Sequence, residues 1–153
     1  VEEVCSIALI TQTLEYYLDE FPDNNEILLP RPPLQSVTSI TYTEAEDSSQ
    51  YSNTFSSSYY SVDTTSRPGR IVLNYGEEWP TATLETMNPI KITYTAGYGD
   101  NRSDVPDDIK HAILYMVSDM YDNRNDMVFG TIVKYIDFLN RLLAPYRDWT
   151  WLM

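Results

Sequence analysis

Residues 92–113, "ITYTAGYGDNRSDVPDDIKHAI", pass from alternating β-branched and aromatic residues through two glycines and an acidic loop into a helical pattern. A strand, a Gly-x-Gly turn and a helix start are also the parts of a phosphate-binding turn. A dinucleotide fingerprint needs a third glycine three residues after Gly99, but that position is Arg102, and the helix begins later still. The spacing therefore predicts a corner rather than a nucleotide cradle. Gly97 and Gly99 let the chain take positive φ as it leaves the sheet. Pro106 suits the first helical position, and Asp107 and Asp108 sit where the helix dipole favours negative charge.

Downstream of the corner the period is helical. Ile109, Ala112, Ile113, Met116, Val117 and Met120 recur at spacings of three and four. A second helix is expected from about residue 131, with Ile132, Ile136, Leu139, Leu142 and Leu143 on its apolar side, ending before Pro145. The two apolar stripes should pack together. Arg124 and Arg141 then read as surface or subunit ion pairs.

Upstream, "SVTSITYTE", "YYSVD", "RIVLNY" and "IKITYTA" read as strands. Pro68-Gly69 marks a turn, and residues 76–89 a longer connection. "TLEYYLDEF" and "EILLP", separated by "PDNN", predict a β-hairpin over residues 12–29, which Pro30, Pro32 and Pro33 then stop. Five or six strands are expected in all. Residues 45–58, rich in serine and acid, predict an exposed, mobile loop. Residues 2–10, "EEVCSIALI", with Val4, Ile7 and Ala8 at helical spacing, read as the last turns of a helix that begins upstream.

Composition narrows the function classes. The 153 residues suit one domain with a real core. Ten basic against 23 acidic side chains give a net charge of −13, and the basic residues are scattered, so no DNA-gripping surface is written here. Anionic membranes are disfavoured for the same reason, and no apolar run approaches the roughly twenty residues of a transmembrane helix. The single cysteine, Cys5, excludes an internal disulfide and a cysteine-rich zinc site. No signal peptide is visible.

Two candidate chemistries remain. Asp104, Asp107, Asp108 and His111 crowd eight residues, with Asp107 and His111 one helical turn apart, which is the pattern of a small acidic metal-dependent enzyme or metal-binding domain. Helix capping and a solvated face account for the same residues, and no cysteine or second histidine completes a transition-metal shell. No Gly-x-Ser-x-Gly occurs to support a serine nucleophile. The tyrosine and tryptophan content alone suggests a carbohydrate-binding β module.

Taken in order, "ILLPRPPLQSVTSITYTE", "YYSVD" with "RPGRIVLNYGEEWP", "IKITYTAGYGD" with "VPDDIKHAILYMVSDMYDNR", and "LLAPYR" resemble the phage head-tail connector (adaptor) family, in the version with a β-rich insertion in a helical bundle. The resemblance runs from about Ala8 to Arg147. It implies an α+β fold: the end of an N-terminal bundle helix over residues 1–11, a β-rich insertion with an antiparallel sheet over 12–98, two bundle helices over 99–144 and an extended tail over 145–153. Members carry helices ahead of the first strand, of which only the tail of one remains here.

The implied role is structural, with no reaction, cofactor or metal. About twelve copies would form a ring under the portal of a filled capsid, extend the DNA channel, and receive a stopper or tail protein. The chain would be made in the host cytoplasm and reside in the neck of the virion. Double-stranded DNA would pass without sequence recognition, as suits an acidic conduit. In the tail "APYRDWTWLM" Trp149 and Trp151 could fold back onto their own domain, while the resemblance implies partner contacts to portal or neighbouring subunit over Tyr146 to Trp149 and Trp151 to Met153: Trp149 and Trp151 as anchors, Leu152 and Met153 beside them, Arg147 or Asp148 at the polar rim, and Tyr146.

Overall fold

The computed structural model describes residues 1–47, 49–122, 139, 141–148 and 150. Its elements run in the order α1 (Glu2–Cys5), β1 (Gln12–Leu18), β2 (Glu26–Leu28), β3 (Leu34–Tyr42), β4 (Asn53–Phe55), β5 (Tyr60–Asp63), β6 (Arg70–Leu73), β7 (Ile90–Ala96) and α2 (Asp107–Asp122). The fold is α+β, with two antiparallel sheets and few helices among the described residues. One sheet has the order β1-β7-β3-β4 and the other β2-β6-β5.

Strand β7 shows how the pattern makes the core. Ile90, Ile92, Tyr94 and Ala96 are buried while Lys91, Thr93 and Thr95 face outward, so the period-two alternation seen in the sequence is the two faces of one central strand. It pairs β1 from Gln12↔Ala96 to Leu18↔Ile90 on one side and β3 on the other. Tyr94, nearly fully buried, donates from its hydroxyl to the Pro30 carbonyl at 2.8 Å, and burial pushes the phenol up to about 12. Ile27, Ile71 and Leu73 of the second sheet complete the same core.

The chain crosses between the sheets repeatedly, and this overturns the expected hairpin. β1 pairs β7 and β2 pairs β6, so residues 12–29 contribute to two different sheets. The turn-forming "PDNN" serves a crossing instead. Phe21, in that crossing, stacks on Trp79 at 5.4 Å and 11° and meets Tyr42 edge-on at 5.9 Å. Trp79 comes from the β6–β7 connection and donates its Nε1–H to the Asn24 carbonyl at 2.9 Å.

Among the described residues there are seven strands where five or six were expected, and the additional short one lies in the serine-rich stretch. Residues 53–55 pair with β3 as β4, from Ile40↔Phe55 to Tyr42↔Asn53, and Phe55 is buried against Trp79, Tyr60 and Phe21. One apolar side chain among serines was enough to hold a strand, because its pocket comes from elsewhere in the chain. In the first half of the stretch the Ala45 amide donates to the Thr83 carbonyl and Asp47 accepts from Ser52 and Asn53.

The β5–β6 turn is closed by Asp63. The Ser66 hydroxyl, then the Thr65 and Ser66 amides and the Arg70 guanidinium, hold its carboxyl well below the usual aspartate range. Arg70 also reaches Glu26 on the facing strand at 3.1 Å. The helical end has its own smaller core of Cys5, Ile7, Val105, Ile109, Ala112 and Leu143, joined by Ile113, Leu139, Leu142 and Tyr146. α1 spans a single turn, with Ser6 left-handed after it, so Val4 is exposed while Ile7 and Ala8 are buried beyond the helix. Along α2, Ile109 and Ala112 are buried while Val117 is 58% and Met120 69% exposed, and most of the helix expected to pack on this stripe lies outside the described residues. The described part of the last helix, Leu139 and Arg141 to Leu143, meets α2 near Ile109. Arg124, Ile132 and Ile136 lie outside the described residues.

Two outcomes are expected. Replacing Phe55 with Ala removes the aromatic common to both sheets and should destabilise the fold by about 3 kcal/mol in chemical denaturation; an unchanged midpoint would mean that β4 is not part of the core. For Asp63, whose folded pKa is depressed, the stabilisation is present above the ordinary aspartate value of about 3.9 and lost as pH falls through the folded value. Asp63→Asn should therefore melt lower than the native chain at pH 7, and the gap should close on acidification.

Candidate functional site

The corner that follows β7 is built from consumed backbone. The Gly97 amide donates to the Pro33 carbonyl at 2.9 Å and Tyr98 to Leu9 at 3.1 Å, while the Gly99 carbonyl accepts from Thr11 at 3.1 Å. Gln35 donates from its side chain to the Gly97 carbonyl at 2.8 Å. Gly97 takes φ +131°, and a Cβ there would stand 2.6 Å from the Ile10 carbonyl carbon. At Gly99 a Cβ would run into the Asp104 side chain. Close backbone approach explains Gly97, positive φ and the Asp104 side chain explain Gly99, and the amides of Gly97 and Tyr98 are turned into the protein rather than toward a phosphate.

The three aspartates of the acid and histidine cluster have separate partners. Asp104 accepts from the Asn101 amide at 2.9 Å, which holds its carboxyl below the ordinary range, and so caps the turn preceding α2. Asp107 pairs with Lys110 at 2.6 Å, which lowers it likewise. Asp108 accepts from the Tyr146 hydroxyl at 3.1 Å, while His111 is exposed. Among the described residues no three His, Cys, Asp or Glu side chains converge as metal ligands.

The C-terminal segment is where the expected partner contacts begin. After Leu143 the chain makes one tight turn, Ala144–Tyr146, and the Asp148 amide donates to the Cys5 carbonyl at 2.9 Å. Tyr146 packs in the helical core, and burial, then the bond to Asp108, raises its phenol. Asp148 is only 8% exposed, and its Oδ2 has no hydrogen-bond partner. Burial pushes the Cys5 thiol up while the Arg147 guanidinium opposes the shift. Tyr146, Arg147 and Asp148 thus lie together against the chain's own first turn. Trp149, Trp151, Leu152 and Met153 lie outside the described residues.

Beside this segment runs a cleft of about 240 Å³ that the sequence did not announce. Pro32 from the β2–β3 connection and Arg67 from the β5–β6 turn form its far wall, and the Arg67 guanidinium stands 5.5 Å from the centre of the Tyr98 ring. Arg67, Tyr98 and Tyr146 are far apart in sequence, and no local pattern links them.

The segment 146–148 packs against the chain's own first turn and the start of α2. The model of the family described as "Head completion protein" matches residues 1–139. The chain belongs to the head completion protein family. That makes it a structural protein of a virus particle and not an enzyme, placed at the head–tail interface. No curated protein matches it. Among solved structures it is similar to a chain in the virion of the native gene transfer agent particle, with a TM-score of 0.74 at 20% identity over 96% of this chain and 70% of that one. It is also similar to one in the neck of the native particle computed with C12 symmetry, with a TM-score of 0.74 at 21% identity over 96% and 75%. A third, from the neck of the empty particle computed with C6 symmetry, gives 0.75 at 22% over 96% and 70%. At such identities the likeness is one of fold.

Because the carboxylates of the 104–111 cluster serve capping, pairing and packing, the head completion chain should take up no divalent metal there. Titration with manganese or zinc is expected to give no stoichiometric heat, and Asp107→Ala with His111→Ala only a slightly weaker helix start. Stoichiometric binding lost in that double variant would restore the metal-site reading.

Proposed function

We propose that this chain is the head-tail connector of its particle, a ring of about twelve copies docked under the portal, through which the DNA channel continues toward a stopper or tail protein. The observation that carries the reading is the shared fold, over 96% of this chain, with a protein in a neck computed with C12 symmetry, in a chain whose family completes heads. Charge supports it. Residues 12–98 hold four basic side chains against twelve acidic ones, 4 − 12 = −8, and such a surface lets DNA slide because it offers phosphates no counter-charge.

In this reading residues 1–11 and 99–144 are the helical bundle, 12–98 the β-rich insertion and 145–153 the tail. Tyr146, Arg147 and Asp148 set the root of the tail on Cys5, and Trp149, Trp151, Leu152 and Met153 extend from it to portal or neighbouring subunit. Aromatic anchors of this kind contribute a few kcal/mol each, about 2 or more at the strongest positions, and a ring multiplies them.

Deleting residues 149–153 leaves that root in place, so the truncated chain should melt as the full one does. DNA-filled heads isolated from cells making only the truncated chain should lack it. Retention at the normal copy number, or a much lower melting temperature, would overturn the anchoring role of the tail.

A further inference from the structure

At the end of β6 opposite the Arg67 turn lies a groove of about 530 Å³, bordered by Asn25 and residues 72–78. Tyr75 stands there fully exposed, more so than any other large apolar side chain among the described residues. Tyr59, 43% exposed, is held beside it: the Asn74 amide donates to the Tyr59 carbonyl at 2.9 Å, and the Asn74 side chain to the Ser58 carbonyl at 2.9 Å. The Trp79 to Asn24 hydrogen bond fixes this turn to the β1–β2 crossing. The aromatic tip is therefore displayed on a braced support rather than on a free loop.

Its charge is one-sided. Glu77 and Glu78 line the groove and Asp23 lies in the crossing beside it; none of the three has an ion pair among the described residues. Residues 1–30 and 71–90 contain no lysine or arginine. The cations next in sequence are engaged: Arg70 with Asp63 and Glu26, Lys91 with Glu15. A surface facing passing DNA would need the carboxylates but not two exposed tyrosines. A second copy, with ten basic against 23 acidic side chains, is a poorer charge complement to these carboxylates than a basic partner.

We infer that this end of the three-stranded sheet is the contact for a different protein of the particle, one that presents arginine or lysine to Glu77 and Glu78 and an apolar pocket to Tyr75. Exposed tyrosine gives such a contact area at low entropic cost, and the carboxylates supply orientation and partner choice. The inference rests on the neck role proposed above.

Two measurements on assembled particles test it. A photoreactive p-benzoylphenylalanine replacing Tyr75 should cross-link, on illumination, to a lysine- or arginine-bearing segment of a different particle protein. Glu77→Lys with Glu78→Lys should deplete that same protein from the particles about tenfold or more, while this chain keeps its copy number in the neck and its melting temperature. Cross-links to a second copy, to DNA or to nothing would overturn the inference, as would full retention of the partner in the charge-reversed particles. Wild-type particles whose neck contains no ring of this chain would instead overturn the neck role, and the inference with it.

Discussion

The two sheets are held together where the chain passes between them. Phe21 from the β1–β2 crossing, Phe55 and Tyr59 from the passage of β4 into β5, and Trp79 from the β6–β7 connection meet in one aromatic cluster with ring centres 5.4–6.4 Å apart. Each crossing alone would be a polar loop with little to order it. Together they bury one another, so their apolar gain offsets the entropy of fixing three connections at once. Strand order depends on this, because a chain whose crossings lacked a common anchor could close local hairpins instead.

From that anchor the constraint passes along β7 to the helical end. With Ile90, Ile92 and Tyr94 locked in the core, Ala96 and Gly97 emerge at a fixed place against Pro33, and Gly99 turns the chain over Thr11. α2 therefore starts from a rigid corner. Its first half covers Cys5 and Ile7, and on the same patch the C-terminal segment is tied down through Asp148. The two ends of the described chain are thus joined at the start of α2, where the tail would leave the domain.

The electrostatic design follows the same division. Arg31, Arg70, Lys91 and Lys110 pair with Glu3, with Asp63 and Glu26, with Glu15 and with Asp107. These pairs are largely solvent-exposed, so their role is to neutralise cations within the chain more than to stabilise it. The charge left over in the sequence is mostly carboxylate, with ten basic against 23 acidic side chains.

Much of this was legible in the sequence for a physical reason: side-chain alternation and helical spacing are local, and they report directly on which face of an element is buried. β3, β5, β6, β7 and α2, the corner at Gly97 and Gly99, and the capping role of Asp104 were all readable in that way. What the spacing could not carry was the choice of partner. "TLEYYLDEF" and "EILLP" have the same local pattern in a hairpin as in two sheets, and Phe55 among serines becomes core only because Trp79 and Phe21 arrive beside it. The stripe on α2 told which residues are apolar but not that Ile109 and Ala112 would meet Cys5 and Ile7. The attachment of residues 146–148 to Cys5 and Asp108, and the cleft with Arg67, required contacts across most of the chain. Periodicity is a property of neighbours in sequence, whereas sheet order, cover and clefts are settled by packing between residues that meet only when the whole chain has folded.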